Sequence, residues 1–293
     1  MSTSGLAGPH LSLNPLTDFD QLTAFPFMVN ALEAGAIVAV LAAVAGWFMV
    51  LRRESFVGHT LSVMSFPGAS GATLIGLPAA AGYFAFAGAG ALVIAAASHT
   101  AGRRDPAQES AVVGSVQVLG LAAGFLFLSL DHGIFESLET LLFGSILGIT
   151  RAQVLTLVAV AAASLLFFPL AGRRLLFASV DEEVARANGL ATRLLHTAFL
   201  LVLGLAVAAT AQITGVLLVF ALLVAPAAAA QELTARVGLG LALSVAIAVL
   251  VTWVGSGLAY FTDYPVGFYV TTLAFAVFVA ARAAGGRTAG RPG

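Results

Sequence analysis

The chain of 293 residues contains no lysine and no cysteine, and only 9% of its residues are charged. All 13 basic residues are therefore arginines. Without lysine there is no phosphate-loop lysine to hold a nucleotide and no amine to form a Schiff base, so any ATP hydrolysis tied to this protein belongs to another chain. Without cysteine, disulfides, thiolate metal sites and cysteine nucleophiles are excluded. No HExxH, GxSxG or paired intramembrane aspartate occurs, which argues against an intramembrane enzyme. A soluble domain of this length carries roughly a quarter charged residues. Here 60% of residues are hydrophobic and the mean hydropathy is +1.01, the composition of an all-α polytopic membrane protein. The net charge of −1 says little about partners; lipid is the expected surrounding, and no nucleic-acid partner is expected.

Apolar runs long enough to cross a bilayer fall near 29–51, 56–77, 79–98, 110–130, 152–172, 194–213, 215–233, 237–258 and 265–282. These predict eight or nine crossings. The run at 138–149 is apolar but too short, so it reads as a re-entrant or tilted segment sheltered by protein. Residues 1–27 lack the basic start and continuous apolar core of a secretory signal and read as a tail. The membrane domain then spans 28–283, and 284–293 reads as a disordered basic end.

Arginines at 52/53, 103/104, 173–193, 236 and the carboxyl end share one side of such a layout, which the positive-inside rule makes cytoplasmic. Arg151 falls on the other side with Asp18, Asp20, Asp131, Glu136, Glu139 and Asp263. The amino terminus is then outside and the carboxyl terminus inside. Small-residue pairs such as Ala42/Gly46 and Gly120/Gly124 suit close helix packing and identify no substrate.

Residues 173–193 form a charged insertion between two apolar runs. Ser179 and Glu182 stand at capping-box spacing, Asp181 and Glu183 add negative charge to the first turn, and Gly189 supplies a stop. About ten residues of helix are predicted, marginal alone, so the segment should dock. Val180, Val184 and Ala187 recur at helical spacing to give it an apolar face. The same residues also suit a solvated connection.

In the second run His59 stands about one turn in, followed by Ser62, Met64 and Ser65 and then Pro67-Gly68, read as a helix break lining a cavity. His59 as a ligand competes with His59 as a packing residue. Pro226 marks a second break. The outer cluster Asp131, His132, Glu136 and Glu139 would attract cations or serve as a polar loop. Glu33, near the outer end of the first run, is a second-rank pathway residue, Asp263 reads as a cap, and His99 and His196 read as interfacial.

The segment Leu51 to Gly71 resembles the signature of permease subunits from bacterial ABC importers for zinc, manganese and iron, in which arginines precede G-D-A-L-S-H and P-G. Gly215 to Leu233, Leu141 to Leu147, Asp181 to Leu190 and Asp263 to Phe268 resemble further family motifs, in family order. The resemblance covers roughly 30–280. It implies a permease that dimerises with a second copy around a pathway, receives metal from an extracytoplasmic binding protein and is driven by cytoplasmic ATPase subunits. It implies no permanently bound cofactor, only the transported divalent ion, and a role for Asp181, Glu182, Glu183, Val184, Ala187 and Gly189 in coupling to the ATPase. The chain departs from the family where aspartate then histidine are usual and His59 and Val63 stand instead, and where an aspartate is frequent and Ser145 stands. With imidazole and the Met64 thioether as ligands, zinc is the first expectation, then manganese or iron. A gradient-driven secondary carrier is the alternative, disfavoured because the carboxylates gather at the ends of the apolar runs.

Overall fold

A computed structural model describes residues 20–100, 106–131, 144, 148–262 and 264–289, and among them it is all-helical. The elements are α1 (Pro26–Leu51), α2 (Ser55–Leu74), α3 (Ala79–Thr100), α4 (Pro106–Leu130), α5 (Arg151–Val180), α6 (Glu182–Ala187), α7 (Thr192–Thr214), α8 (Val216–Leu233), α9 (Val237–Tyr260) and α10 (Val266–Ala289). Seven of these are long and apolar enough to cross a membrane. The other long helices, α2 and α8, are the enclosed ones. Helix α2 carries His59, Thr60, Ser62, Ser65, Ser70 and Thr73 and packs against α3, α4, α7 and α8. Helix α8 has 18 residues and is surrounded by α10, α1, α9, α2 and α7.

Helix α1 is the central pillar. It starts with Pro26 in its first turn, where the missing N–H costs nothing, and is apolar all round. Its most apolar stretch is 67% buried, against 22% for α4 and α10, which form the periphery. Helix α5 starts with a reciprocal capping box between Thr150 and Gln153. Glycines let helices touch. Gly68 on α2 and Gly82 on α3 lie against each other's carbonyl oxygens, and Gly46 on α1 lies against the Leu223 carbonyl of α8. Gly120 and Gly124 of α4 receive Met64 and Phe66, so the small-residue pairs do serve packing.

Several expectations change. Helices α2 and α8 run unbroken through Pro67-Gly68 and Pro226, as α5 does through Pro169, since a helix packed among neighbours tolerates the single lost bond of a proline. The true interruption is Gly215, one residue between α7 and α8 at φ 76° and ψ 158°. Helix α10 continues to Ala289, beyond the tail boundary at 284, because Gly285 seats against the Glu232 carbonyl and Arg282 faces the Glu232 carboxylate at 3.9 Å. Residues 1–19, 101–105 and 290–293 and most of 138–149, the re-entrant stretch, lie outside the described residues.

Candidate functional site

Helix α2 divides its polar side chains among its neighbours. Thr60 donates to Gln117 Oε1 of α4 at 3.1 Å, while Ser62 donates to the Val216 carbonyl at the start of α8 at 2.5 Å. Ser65 and Ser70 bond back to carbonyls of α2 itself. His59, one turn from Ser62, sets its ring edge-on to Phe220 of α8, with centroids 5.0 Å apart. Its Nδ1 is buried and has no hydrogen-bond partner. His59 and Ser62 thus share the face that meets α8 just beyond the Gly215 interruption. Met64 points away from them, into the space between Gly90 of α3 and Gly120 of α4. A buried imidazole nitrogen without a partner is a ligand-capable group, and the adjoining hydroxyl and carbonyl are weak oxygen donors.

The other expected ligands are not gathered here. Glu33 pairs with Arg151 across α1 and α5 at the opposite end of the bundle. Nineteen positions separate Glu33 from Arg52, about 28 Å of helix, whereas His59 lies one turn from the Arg52 end. The Glu33–Arg151 pair edges an apolar crevice of about 840 Å³ that includes Leu22, Ile37, Val158, Trp253 and Phe261. Asp131 follows α4, its N–H bonded to the Phe127 carbonyl, while His132, Glu136, Glu139, Ser145 and Asp263 lie outside the described residues. Among the described residues no three histidines or carboxylates come together as a metal site.

At the Arg52 end stands α6. It has six residues rather than about ten, because α5 continues through Val180 and absorbs Ser179 in its last turn. The cap is Asp181, whose Oδ1 accepts from the Val184 N–H at 2.9 Å. Gly189, at φ 80°, closes the other end: its N–H bonds to the Arg186 carbonyl and that of Leu190 to the Ala185 carbonyl, a Schellman motif. Arg186 and Glu182 pair along the helix at 3.0 Å, and Glu183 is exposed. Ala185 is the residue buried against the bundle. Val184 is 46% exposed, Val180 is 86% exposed and Ala187 is exposed, so the apolar face read from the sequence points outward.

Beneath α6 lies a cluster the sequence reading missed. Arg52 caps α1, and the next residue, Arg53, takes the left-handed position of a Schellman turn at φ 59°. That turn brings Glu54, at the head of α2, beside Arg52. Arg52 contacts Glu54 Oε1 at 2.8 Å through NH2, donates to Ser179 Oγ at 3.2 Å and reaches His196 Nδ1 of α7 at 3.0 Å. Its guanidinium also lies 5.4 Å from the Phe199 ring centroid. His196 is 3% exposed, enclosed by protein. The available signal was the run of charge at 52–54 together with a histidine in the first turns of another span.

A family model described as the ABC 3 transport family matches residues 24–285. The chelated iron transport system membrane protein YfeC of Yersinia pestis is 31% identical over 257 residues, covering 88% of this chain and 86% of that protein. The manganese transport system membrane protein MntC of Halalkalibacterium halodurans is 29% identical over 219 residues, covering 75% of this chain and 74% of that one. Among solved structures, PsaBC from Streptococcus pneumoniae in complex with Fab superimposes with a TM-score of 0.80 at 25% identity, covering 91% of this chain and 94% of that one.

Proposed function

We propose, from the premise that this chain belongs to the ABC 3 transport family, that it is the membrane permease of an importer for a divalent transition metal, powered by separate ATPase subunits. The observation that carries the reading is α6: a helix too short to stand alone, capped at both ends, showing Val184 and Ala187 outward beside the exposed Val180 that ends α5. Exposed aliphatic side chains on a rigid, capped element suit a protein partner, and a cytoplasmic ATPase subunit is the partner this family membership supports.

Nine crossings follow if α2 and α8 cross within the shelter of the other helices, where polar side chains find partners. The arginine-rich end bearing α6 then faces the cytoplasm, with the amino terminus outside and the carboxyl terminus inside. An extracytoplasmic metal-binding protein would deliver cargo to the Glu33–Arg151 end. A second copy of the chain would complete the pathway. The names of the relatives favour iron and manganese over zinc. The single imidazole of His59 suits iron and zinc better than the harder manganese ion, and alone it holds none of them tightly.

The test is purification of the chain with the ATP-binding subunit, followed by uptake of manganese(II), iron(II) and zinc(II) in competition by reconstituted vesicles. Uptake that requires ATP and the ATPase supports the proposal. A folded chain that never associates with an ATPase defeats it.

A further inference from the structure

The Arg52 cluster joins elements that otherwise touch α6 only through its neighbours. Helix α6 packs on α5 and α7. Its leading root is the last turn of α5, where Ser179 stands two residues before the Asp181 cap, and its trailing root is the start of α7, where His196 stands. One guanidinium binds both roots: NH1 donates to Ser179 Oγ at 3.2 Å and NH2 reaches His196 Nδ1 at 3.0 Å. Arginine has no acceptor, so the histidine nitrogen accepts. The remaining edge of the fork is directed at Glu54, with Nε donating to Oε1 at 3.0 Å. Glu54 sits at the head of α2, five residues before His59.

Ser179 is itself held, donating to the Leu175 carbonyl at 2.6 Å, so the last turn of α5 has little freedom to yield. The Arg52 and Glu54 side chains are 7% and 10% exposed, and screening by water is weak at such burial. Arg52 and Glu54 are also locked relative to each other by the turn between them, in which the Glu54 N–H bonds to the Met49 carbonyl.

We propose that Arg52 is the positioning residue that couples α6 to the pathway helix: a three-way clamp through which displacement of α6 is delivered to the head of α2, and so to His59 and Ser62. This rests on the permease reading above and adds the linkage inside the chain. The planar fork is the requirement. A lysine at the same place would keep the charge beside Glu54 but present one compact ammonium to acceptors lying in three directions.

The experiment compares wild type, Arg52→Lys and Ser179→Ala, each purified with its ATP-binding subunit and reconstituted in vesicles, with manganese(II) as the transported probe. The readout is ATP hydrolysed per ion taken up. Arg52→Lys preserves the buried charge balance, and Ser179→Ala removes the leading-root contact together with the Ser179 back-bond to the Leu175 carbonyl within α5, so the second decides the matter if the first does not assemble. Both are expected to bind the ATPase as wild type does and to raise the ATP spent per ion at least fivefold. An unchanged ratio in the variants, or hydrolysis and uptake falling by the same factor, overturns the clamp. If wild type itself shows no ATP-dependent uptake, the permease reading fails and takes the clamp with it; wild-type coupling alongside unaffected variants removes the clamp alone.

Discussion

At Gly215 the chain passes from α7 to α8 through a single residue, at φ 76° and ψ 158°. That region is open to glycine and costs other residues about 1–3 kcal/mol. Gly144 packs its backbone directly on the same turn: a Cβ built on Gly144 would lie 2.6 Å from Gly215 N. Gly215→Ala is therefore expected to destabilise the chain by about 1–3 kcal/mol, seen as a lower unfolding midpoint by intrinsic fluorescence; an unchanged midpoint would contradict this. At His59, the unpartnered nitrogen predicts a transport effect without a folding one. His59→Ala should raise the metal concentration for half-maximal uptake about tenfold, about 1.4 kcal/mol, with the unfolding midpoint little changed. Equal uptake curves would reassign His59 to packing against Phe220. Residues of this kind were partly legible. His59 was visible because an imidazole in an apolar run is rare, whereas the burial of His196 was not, since it depends on Arg52, which is 144 positions away.

Helix α6 shows what local sequence does and does not determine. Asp181, read as first-turn charge, proves to be the cap itself, whereas the Gly189 stop was readable because capping chemistry is local. The start of the helix was not. Ser179 is as good a cap as Asp181 by residue type, and only the persistence of α5 through Val180 turns its hydroxyl back to the Leu175 carbonyl. The direction of the apolar face was likewise undetermined, because periodicity marks a face without saying whether bundle or partner covers it. Asp181→Ala removes the cap and should cost the helix about 0.5–2 kcal/mol, weakening ATPase association in a pull-down titration while leaving the unfolding of the bundle unchanged. Val184→Asp places a charge on the outward face. It should lower ATPase affinity about 100-fold, about 2.7 kcal/mol, with no loss of fold, since Val184 is 46% exposed. Full retention of binding by Val184→Asp would move the docking surface elsewhere.

At the scale of the molecule, the helical architecture and most of its spans were legible because hydropathy over 20-residue windows reports the bilayer directly. The interior was not, because enclosure changes the rules: α2 and α8 keep their prolines and polar groups since helices rather than lipid surround them. The result is a bundle organised around α1, with a polar seam between α2 and α8 and one charged cluster tying α1, α2, α5 and α7 together beneath α6. On the proposed permease reading, such a molecule, with no lysine for a phosphate-loop nucleotide site, opens only when force reaches it from an ATPase subunit. The most direct test of that claim is manganese(II) uptake by vesicles containing the chain with and without its ATP-binding subunit, under an imposed ion gradient and, separately, with ATP supplied on the α6 side. Uptake only when both the subunit and ATP are present is the expected result. Uptake driven by the gradient in vesicles lacking the subunit would contradict it.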